Sequence, residues 1–297
     1  MSRRLEIVGL KLPLIEGKVD LAKMIVDAAL EQGVGIEEGD VVVVTSKFAL
    51  KSYGLLVKLS EIKPGLRAAI IHAITGKNPV ETELVLRNSR RVLFVTPVTF
   101  LKDYVDRIST NPREAIRAIE AEKLFMFVEM RNGIIASEAG VDFSNVPPGY
   151  AVTSNYDFDA IARDIRRRIR EYTGIDVAVV IADTEFFASN GKLGSIDIAV
   201  GSSGIDPITR KFGEKDLYGR PKFGGLDILI DEVCAAAALI MRQSSEGIPV
   251  VIIRGLSYEK SERGVKDVLV TQYKARAAMV LLKVLLLNLL FRALRLI

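Results

Sequence analysis

The sequence predicts an α+β fold of mixed sheets with flanking helices, and three observations carry that reading. The run Asp176-Val-Ala-Val-Val-Ile-Ala-Asp183-Thr184 is a strand with a wholly apolar core, the pattern of a strand buried on both faces. Two strand-like segments, 125–131 and 133–137, meet across Asn132-Gly133, a strong turn signal for an antiparallel hairpin. Around them, segments of helical periodicity alternate with short apolar runs.

In chain order, helical periodicity over 19–31 gives way to the Glu37-Glu-Gly-Asp40 turn and a strand at 41–45. Helices are expected at 66–75 and 79–88, and a strand at 91–96 precedes the hairpin. A helix at 158–172 leads to the strand that delivers Asp183 at its C-terminal end. A loop over 185–196, a strand at 196–202, a helix at 227–242 and a strand at 249–254 complete the pattern. No repeat, signal peptide or low-complexity linker interrupts it. With 297 residues, 49% of them hydrophobic, the chain can bury a substantial core in one large or two intimate domains. The main module is expected over 1–271, followed by an apolar helix over 272–297.

Composition argues against several function classes. The net charge is +4 and the isoelectric point about 9.0, but Lys and Arg are spread through helices such as 164–170 rather than interleaved with aromatics. That distribution disfavours nucleic acid and is met as well by a polyanionic small substrate. Cys234, the one cysteine, lies in an apolar helix and reads as core in a reducing compartment. His72, the one histidine, reads as a helix residue, so Ser-His-Asp and histidine-metal mechanisms are disfavoured. Gly76-Lys77 lacks the upstream glycine of a phosphate-binding loop, and Gly33-Val-Gly35 has the wrong spacing for a dinucleotide fingerprint. In the C-terminal stretch Lys283, Arg292 and Arg295 interrupt the apolar run short of the about 20 residues that cross a bilayer. Docking on the body or on a second subunit is therefore expected in preference to membrane attachment.

The chemistry is concentrated in two acidic segments. Asp183 and Thr184 place a carboxylate and a hydroxyl together at a strand end, where a buried sheet presents ligands. Glu138-Ala-Gly-Val-Asp142-Phe-Ser-Asn145-Val-Pro-Pro-Gly149 places a second carboxylate beside a glycine and a Pro-rich turn. Oxygen donors of this kind suit Mg²⁺ or Mn²⁺, which complete their shells with water and substrate phosphates.

Six segments in order carry a resemblance: Leu12-Pro-Leu-Ile15; Gly39-Asp-Val-Val-Val-Val-Thr-Ser46-Lys47 with Lys51; Glu138 to Asn145; Ile181-Ala-Asp183-Thr184; Lys215-Asp-Leu-Tyr-Gly-Arg220; and Gln243-Ser-Ser-Glu-Gly-Ile-Pro249 running into Arg254-Gly255. Together they resemble the coenzyme F420-0:L-glutamate ligase family, the γ-glutamyl ligases, from near the N-terminus to about residue 260. The resemblance implies the family's own mixed α+β fold, without a P-loop or Rossmann domain. It also implies a cytoplasmic homodimer in which GTP phosphorylates the carboxylate of F420-0 and the amine of L-glutamate displaces phosphate. Asp142, Asp183, Thr184 and Gln243 then correspond to ligands of two divalent ions, Mg²⁺ or Mn²⁺, with K⁺ a further candidate, and Asp142 and Asp183 are the catalytic pair. Leu12, Pro13, Leu14, Ile15, Ser46, Lys47, Lys51, Asn145, Gln243, Ser244, Ser245, Glu246, Gly247, Ile248 and Pro249 correspond to nucleotide contacts.

Two departures stand out. The family follows Asp-Thr with a loop rich in glycine and arginine, whereas residues 185–196 contain no arginine and offer Lys192 alone. A guanidinium suits bidentate phosphate or carboxylate recognition better than an ammonium, so the departure bears on the acceptor more than on the metal. Glu138 stands where the family often has Asn, making that segment more acidic. A divergent amide ligase acting on another phosphorylated carboxylate acceptor, and a nucleotide- and metal-binding homologue without ligation, are the alternatives.

Overall fold

The computed structural model describes residues 4–189, 192–243, 245–269 and 274–294. Its elements are β1 (Glu6–Leu10), α1 (Leu21–Glu31), β2 (Val41–Thr45), α2 (Ser46–Ser52), β3 (Val57–Lys58), α3 (Leu66–Thr75), α4 (Pro79–Asn88), β4 (Ser89–Pro97), α5 (Val105–Ile108), α6 (Pro112–Glu122), β5 (Leu124–Met130) and β6 (Ile135–Ser137). They continue with β7 (Tyr150–Ala151), α7 (Phe158–Thr173), β8 (Ala178–Ser189), β9 (Lys192–Ser203), α8 (Leu229–Met241), β10 (Val250–Arg254) and α9 (Lys274–Ala293).

A five-stranded mixed sheet in the order β1-β10-β2-β8-β9 organises the chain, with β2 and β8 parallel and the other pairs antiparallel. The all-valine stretch of β2 is explained by burial on both faces. Val42 and Val44 join a core with α1 and α7, while Val41 and Val43 join another with Ile230, Val233, Cys234 and Ala237 of α8. In α7 the spacing Ile161, Ile165, Ile169 turns one stripe inward and leaves the arginines outside. Asp157 caps this helix by accepting from the Ala160 N–H at 2.8 Å, and Asn78 does the same for α4 at Val80, ahead of Pro79. The first core continues into Met126, Val128, Met130 and Ala136 of a three-stranded sheet, β4-β5-β6, so the two sheets share apolar packing.

Most of the expected elements are present, the mixed α+β class among them, and the Asn132-Gly133 hairpin joins β5 and β6. One element is corrected. The strand through Asp183 does not end there, and 185–189 and 192–196 are strand rather than loop: β8 and β9 stay paired from Val179↔Ser203 out to Ser189↔Lys192. Period-2 alternation in Glu185-Phe-Phe is too short to signal a strand, and pairing across the hairpin decides it. What does end is the pairing with β2, whose last partner is Ala182. Asp183 is thus the first residue past the parallel junction, where the sheet narrows to a two-stranded ribbon.

Cys234 is fully buried in α8, as expected of a core cysteine. His72 is an exposed residue of α3 whose Nδ1 lies 2.9 Å from the Lys77 carbonyl oxygen. Among the described residues no helix is long and apolar enough to cross a membrane. Within α9 the side chains of residues 283–294 are exposed, including Leu285 at 58% and Leu290 at 52%.

Gly201 marks a close approach. It sits opposite Ile181 beside an irregularity in the β8–β9 ladder, and a β-carbon there would run into the backbone of Phe158 at the start of α7. Gly201→Ala should therefore cost about 1–3 kcal/mol of stability by overpacking. Urea unfolding will show it as a lower midpoint with an unchanged slope.

Candidate active site

A cavity of about 710 Å³ opens at the edge of the main sheet where β2 and the parallel part of β8 end. Three chain segments meet there through backbone hydrogen bonds: the Leu12 N–H donates to the Gly247 carbonyl at 3.1 Å and the Thr45 N–H to the Pro249 carbonyl at 3.0 Å. Of the residues singled out in the sequence, Leu12, Pro13, Leu14, Ser46, Lys47, Lys51, Asp142, Asn145, Asp183, Thr184, Gln243, Ser245, Glu246, Gly247, Ile248 and Pro249 all line this cavity. Ile15 does not: only 5% exposed, it packs in the core beneath. Ser244 lies outside the described residues.

Asp183 stands at the centre. Its Oδ1 accepts from Ser46 Oγ at 2.9 Å and from the Thr184 N–H at 3.1 Å, and its Oδ2 accepts from Ser154 Oγ at 3.0 Å. Burial raises its pKa above the usual carboxylate range, against the opposing effect of the two serine hydroxyls. Ser154 is held in turn by Asn132, whose Nδ2 donates to the Ser154 carbonyl at 2.9 Å, so the hairpin turn reaches the site. Alternation along β8 puts Asp183 and Glu185 on one face. Thr184 faces the other way and donates to Asp197 Oδ1 at 2.7 Å across the ladder.

Asp142 arrives from the opposite wall. Its Oδ2 lies 2.6 Å from Lys47 Nζ, and its Oδ1 accepts from the Ser144 N–H at 2.7 Å. Burial would raise its pKa, but the Lys47 ammonium and the Ser144 bonds outweigh this and hold it below the ordinary value. Lys47 also donates to Ser144 Oγ at 2.5 Å. One helical turn on, Lys51 is 6% exposed and donates to the Asn145 carbonyl at 3.1 Å. Burial, then the neighbouring Lys47 charge, lowers its pKa.

The segment that brings Asp142 here is strained. Glu138, Ala139 and Gly140 have φ of 51°, 53° and 62°, three successive residues in the left-handed region. Only glycine takes that conformation freely; for Glu138 and Ala139 it costs roughly 1–2 kcal/mol each. Gly140 is required on a second count, because a β-carbon there would collide with the Ser154 side chain and displace the hydroxyl that faces Asp183.

The four residues expected as metal ligands, Asp142, Asp183, Thr184 and Gln243, all line the cavity and offer two carboxylates, a hydroxyl and an amide, oxygen donors of the hard type. Among the described residues no three of His, Cys, Asp and Glu stand close enough to hold a metal by themselves. The Lys47 ammonium against Asp142 marks where the site already accepts positive charge.

Sequence reading missed Ser154, Glu185 and Asp197. Ser154 belongs to no motif and is found only through the fold. Asp197 was legible in principle, since a β8–β9 ladder places it opposite Thr184.

A family model described as F420-0:Gamma-glutamyl ligase matches residues 9–255. The chain is 35% identical over 240 residues to the coenzyme F420:L-glutamate ligase of Methanopyrus kandleri, covering 81% of this chain and 82% of that protein. To the protein of the same name from Methanothermobacter thermautotrophicus it is 33% identical over 268 residues, 89% of this chain and 95% of the relative. To that of Archaeoglobus fulgidus it is 34% identical over 249 residues, 83% and 85%. Of the six segments singled out in the sequence, Lys215 to Arg220 lies away from the cavity. Matched across most of its length, the chain belongs to the F420-0:gamma-glutamyl ligase family.

Proposed function

We propose that this protein joins the amino group of L-glutamate to the carboxylate of coenzyme F420-0, using GTP to form an acyl phosphate. The observation that carries the reading is that one cavity gathers the Asp142 and Asp183 carboxylates, the Lys47 and Lys51 ammonium groups, Gln243 and the 245–249 turn in a chain of this family. In the first step a carboxylate oxygen of the acceptor attacks the γ-phosphorus and the bond to the GDP oxygen breaks. In the second the glutamate nitrogen attacks the acyl carbon, the bond to phosphate breaks, and the nitrogen gives up a proton.

Lys47 and Lys51, four residues apart on α2, present positive charge where the phosphates would lie. The Leu12 to Leu14 segment and the 245–249 turn form the facing wall, tied together at Leu12 and Gly247. Asp142, Asp183, Thr184 and Gln243 would hold Mg²⁺ or Mn²⁺, which when bound neutralises charge on the transferring phosphoryl group. On this reading the partners are small molecules and a second copy of the chain, in the cytoplasm.

A second reading has a specific observation in its favour. Glu81 and Glu185 line the cavity beside Glu122 and Glu138, which are paired with Lys77, and the sequence of 185–196 contains no arginine. The missing guanidinium groups and the added carboxylates suit an acceptor other than F420-0, another phosphorylated carboxylate, with the same ligation chemistry. Incubation with GTP, Mn²⁺, L-glutamate and F420-0, followed by mass analysis, decides between them. The expected result is a glutamylated deazaflavin with stoichiometric GDP and phosphate. GTP cleavage that appears only with a different carboxylate acceptor points to the second reading.

Asp183→Asn should lower turnover about a hundredfold or more, since an amide cannot supply the carboxylate's charge. The check is single-turnover kinetics at saturating Mn²⁺ alongside an unchanged circular dichroism spectrum. Lys51→Ala should raise the KM for GTP roughly ten- to hundredfold, the loss of one charge-assisted contact, and leave that for glutamate nearly unchanged. Steady-state titration of each substrate measures both, and equal effects on the two would assign Lys51 a structural role.

A further inference from the structure

Lys77 is fully buried, and nothing in the proposed reaction uses it. It sits in the turn between α3 and α4, donates to the Leu124 carbonyl at 3.0 Å, pairs with Glu122, and lies 2.9 Å from Glu138 Oε2. Glu138 spends its other oxygen on the Met126 N–H of β5. Its carboxylate is therefore anchored on two sides, by a buried cation and by a strand backbone.

The backbone of Glu138 is what makes this anchoring informative. It opens the run of three left-handed residues, a place where glycine or asparagine would sit with less strain. A glutamate there is intelligible if its side chain does something the backbone needs. From this turn two connections lead to the reacting centre. The chain runs on to Asp142, whose backbone exchanges hydrogen bonds with Val152 at 3.1 and 3.0 Å. The Ala139 carbonyl accepts from the Ser154 N–H at 3.4 Å, and Ser154 Oγ donates to Asp183.

We infer that the Lys77–Glu138 pair is a positioning element that holds the 138–140 turn in the conformation presenting Asp142 and, through Ser154, Asp183 to the cavity. The pair acts through these residues and touches no reacting atom. Its activity arm rests on the ligase reading; its structural arm does not.

The test uses the full chain carrying Glu138→Ala, Glu138→Gln or Lys77→Met. Measurements are kcat and GTP KM for ligation, together with residue-resolved amide hydrogen exchange. Glu138→Ala should lower kcat about a hundredfold, the scale of a small misplacement of catalytic groups, with GTP KM little changed. Exchange at the Asp142, Ser144 and Ser154 amides should quicken while the amides of β2, β8 and β10 keep their protection. Lys77→Met should reproduce this pattern. Glu138→Gln, which keeps the side-chain length and an acceptor for Met126, should recover part of the loss and serves as the test if the other variants fail to fold. Wild-type kcat and exchange in Glu138→Ala would overturn the inference, as would exchange that quickens across β2, β8 and β10 together with the turn. If the unmodified chain forms no glutamylated product, the ligase reading falls, and exchange at the three named amides decides the inference alone.

Discussion

A carboxylate withdrawn from water has to be met by donors, and at Asp183 those donors come from parts of the chain far apart in sequence. Ser46 opens α2 directly after β2, and Ser154 follows the short strand β7. For both hydroxyls to reach one carboxylate, the parallel β2–β8 junction and the hairpin that carries Asn132 must be in register with each other. The apolar core running beneath both sheets supplies that registration. Burial raises the pKa of Asp183 and so opposes its charge, and the serine donors only partly offset this.

The two acidic residues are tuned in opposite directions. Asp142 is held ionised by Lys47, while Asp183 is pushed toward its neutral form by burial. Such a difference between two carboxylates facing one cavity is the arrangement expected where charge is to be moved or neutralised during a reaction. Lys47 belongs to both stories, because it neutralises Asp142 and stands at the start of the helix that also carries Lys51.

Much of this was legible in the sequence. Strands such as 41–45 and helices such as 66–75 and 79–88 follow directly from apolar period, Pro79 and the Asn78 cap. Asp183 could be named because it sits at a strand end, whereas the two lysines and the turn before β10 could be named only through the resemblance of the six segments. The ribbon past Asp183 was not legible, since its pairing depends on a partner strand that local alternation over Glu185-Phe-Phe cannot reveal. Ser154 and the Lys77–Glu138 contact were out of reach for the same reason: one is a serine without a motif, the other a pair separated by 61 positions and brought together only by packing. Ile15, read as a nucleotide contact, shows the converse, an apolar residue in a site segment that turns inward to the core.

The parallel pairing of β2 with β8 also sets how the site can fail. Side chains alternate across a strand, so a slip of β8 by one residue against Val41 to Thr45 would turn Asp183 toward α8 and bring Thr184 to Ser46. There is no intermediate register in which the carboxylate is slightly displaced. Alignment of the two halves is in this sense digital: substitutions among the buried valines will loosen the sheet without gradually shifting Asp183, and accuracy at the rim will persist until the ladder itself gives way.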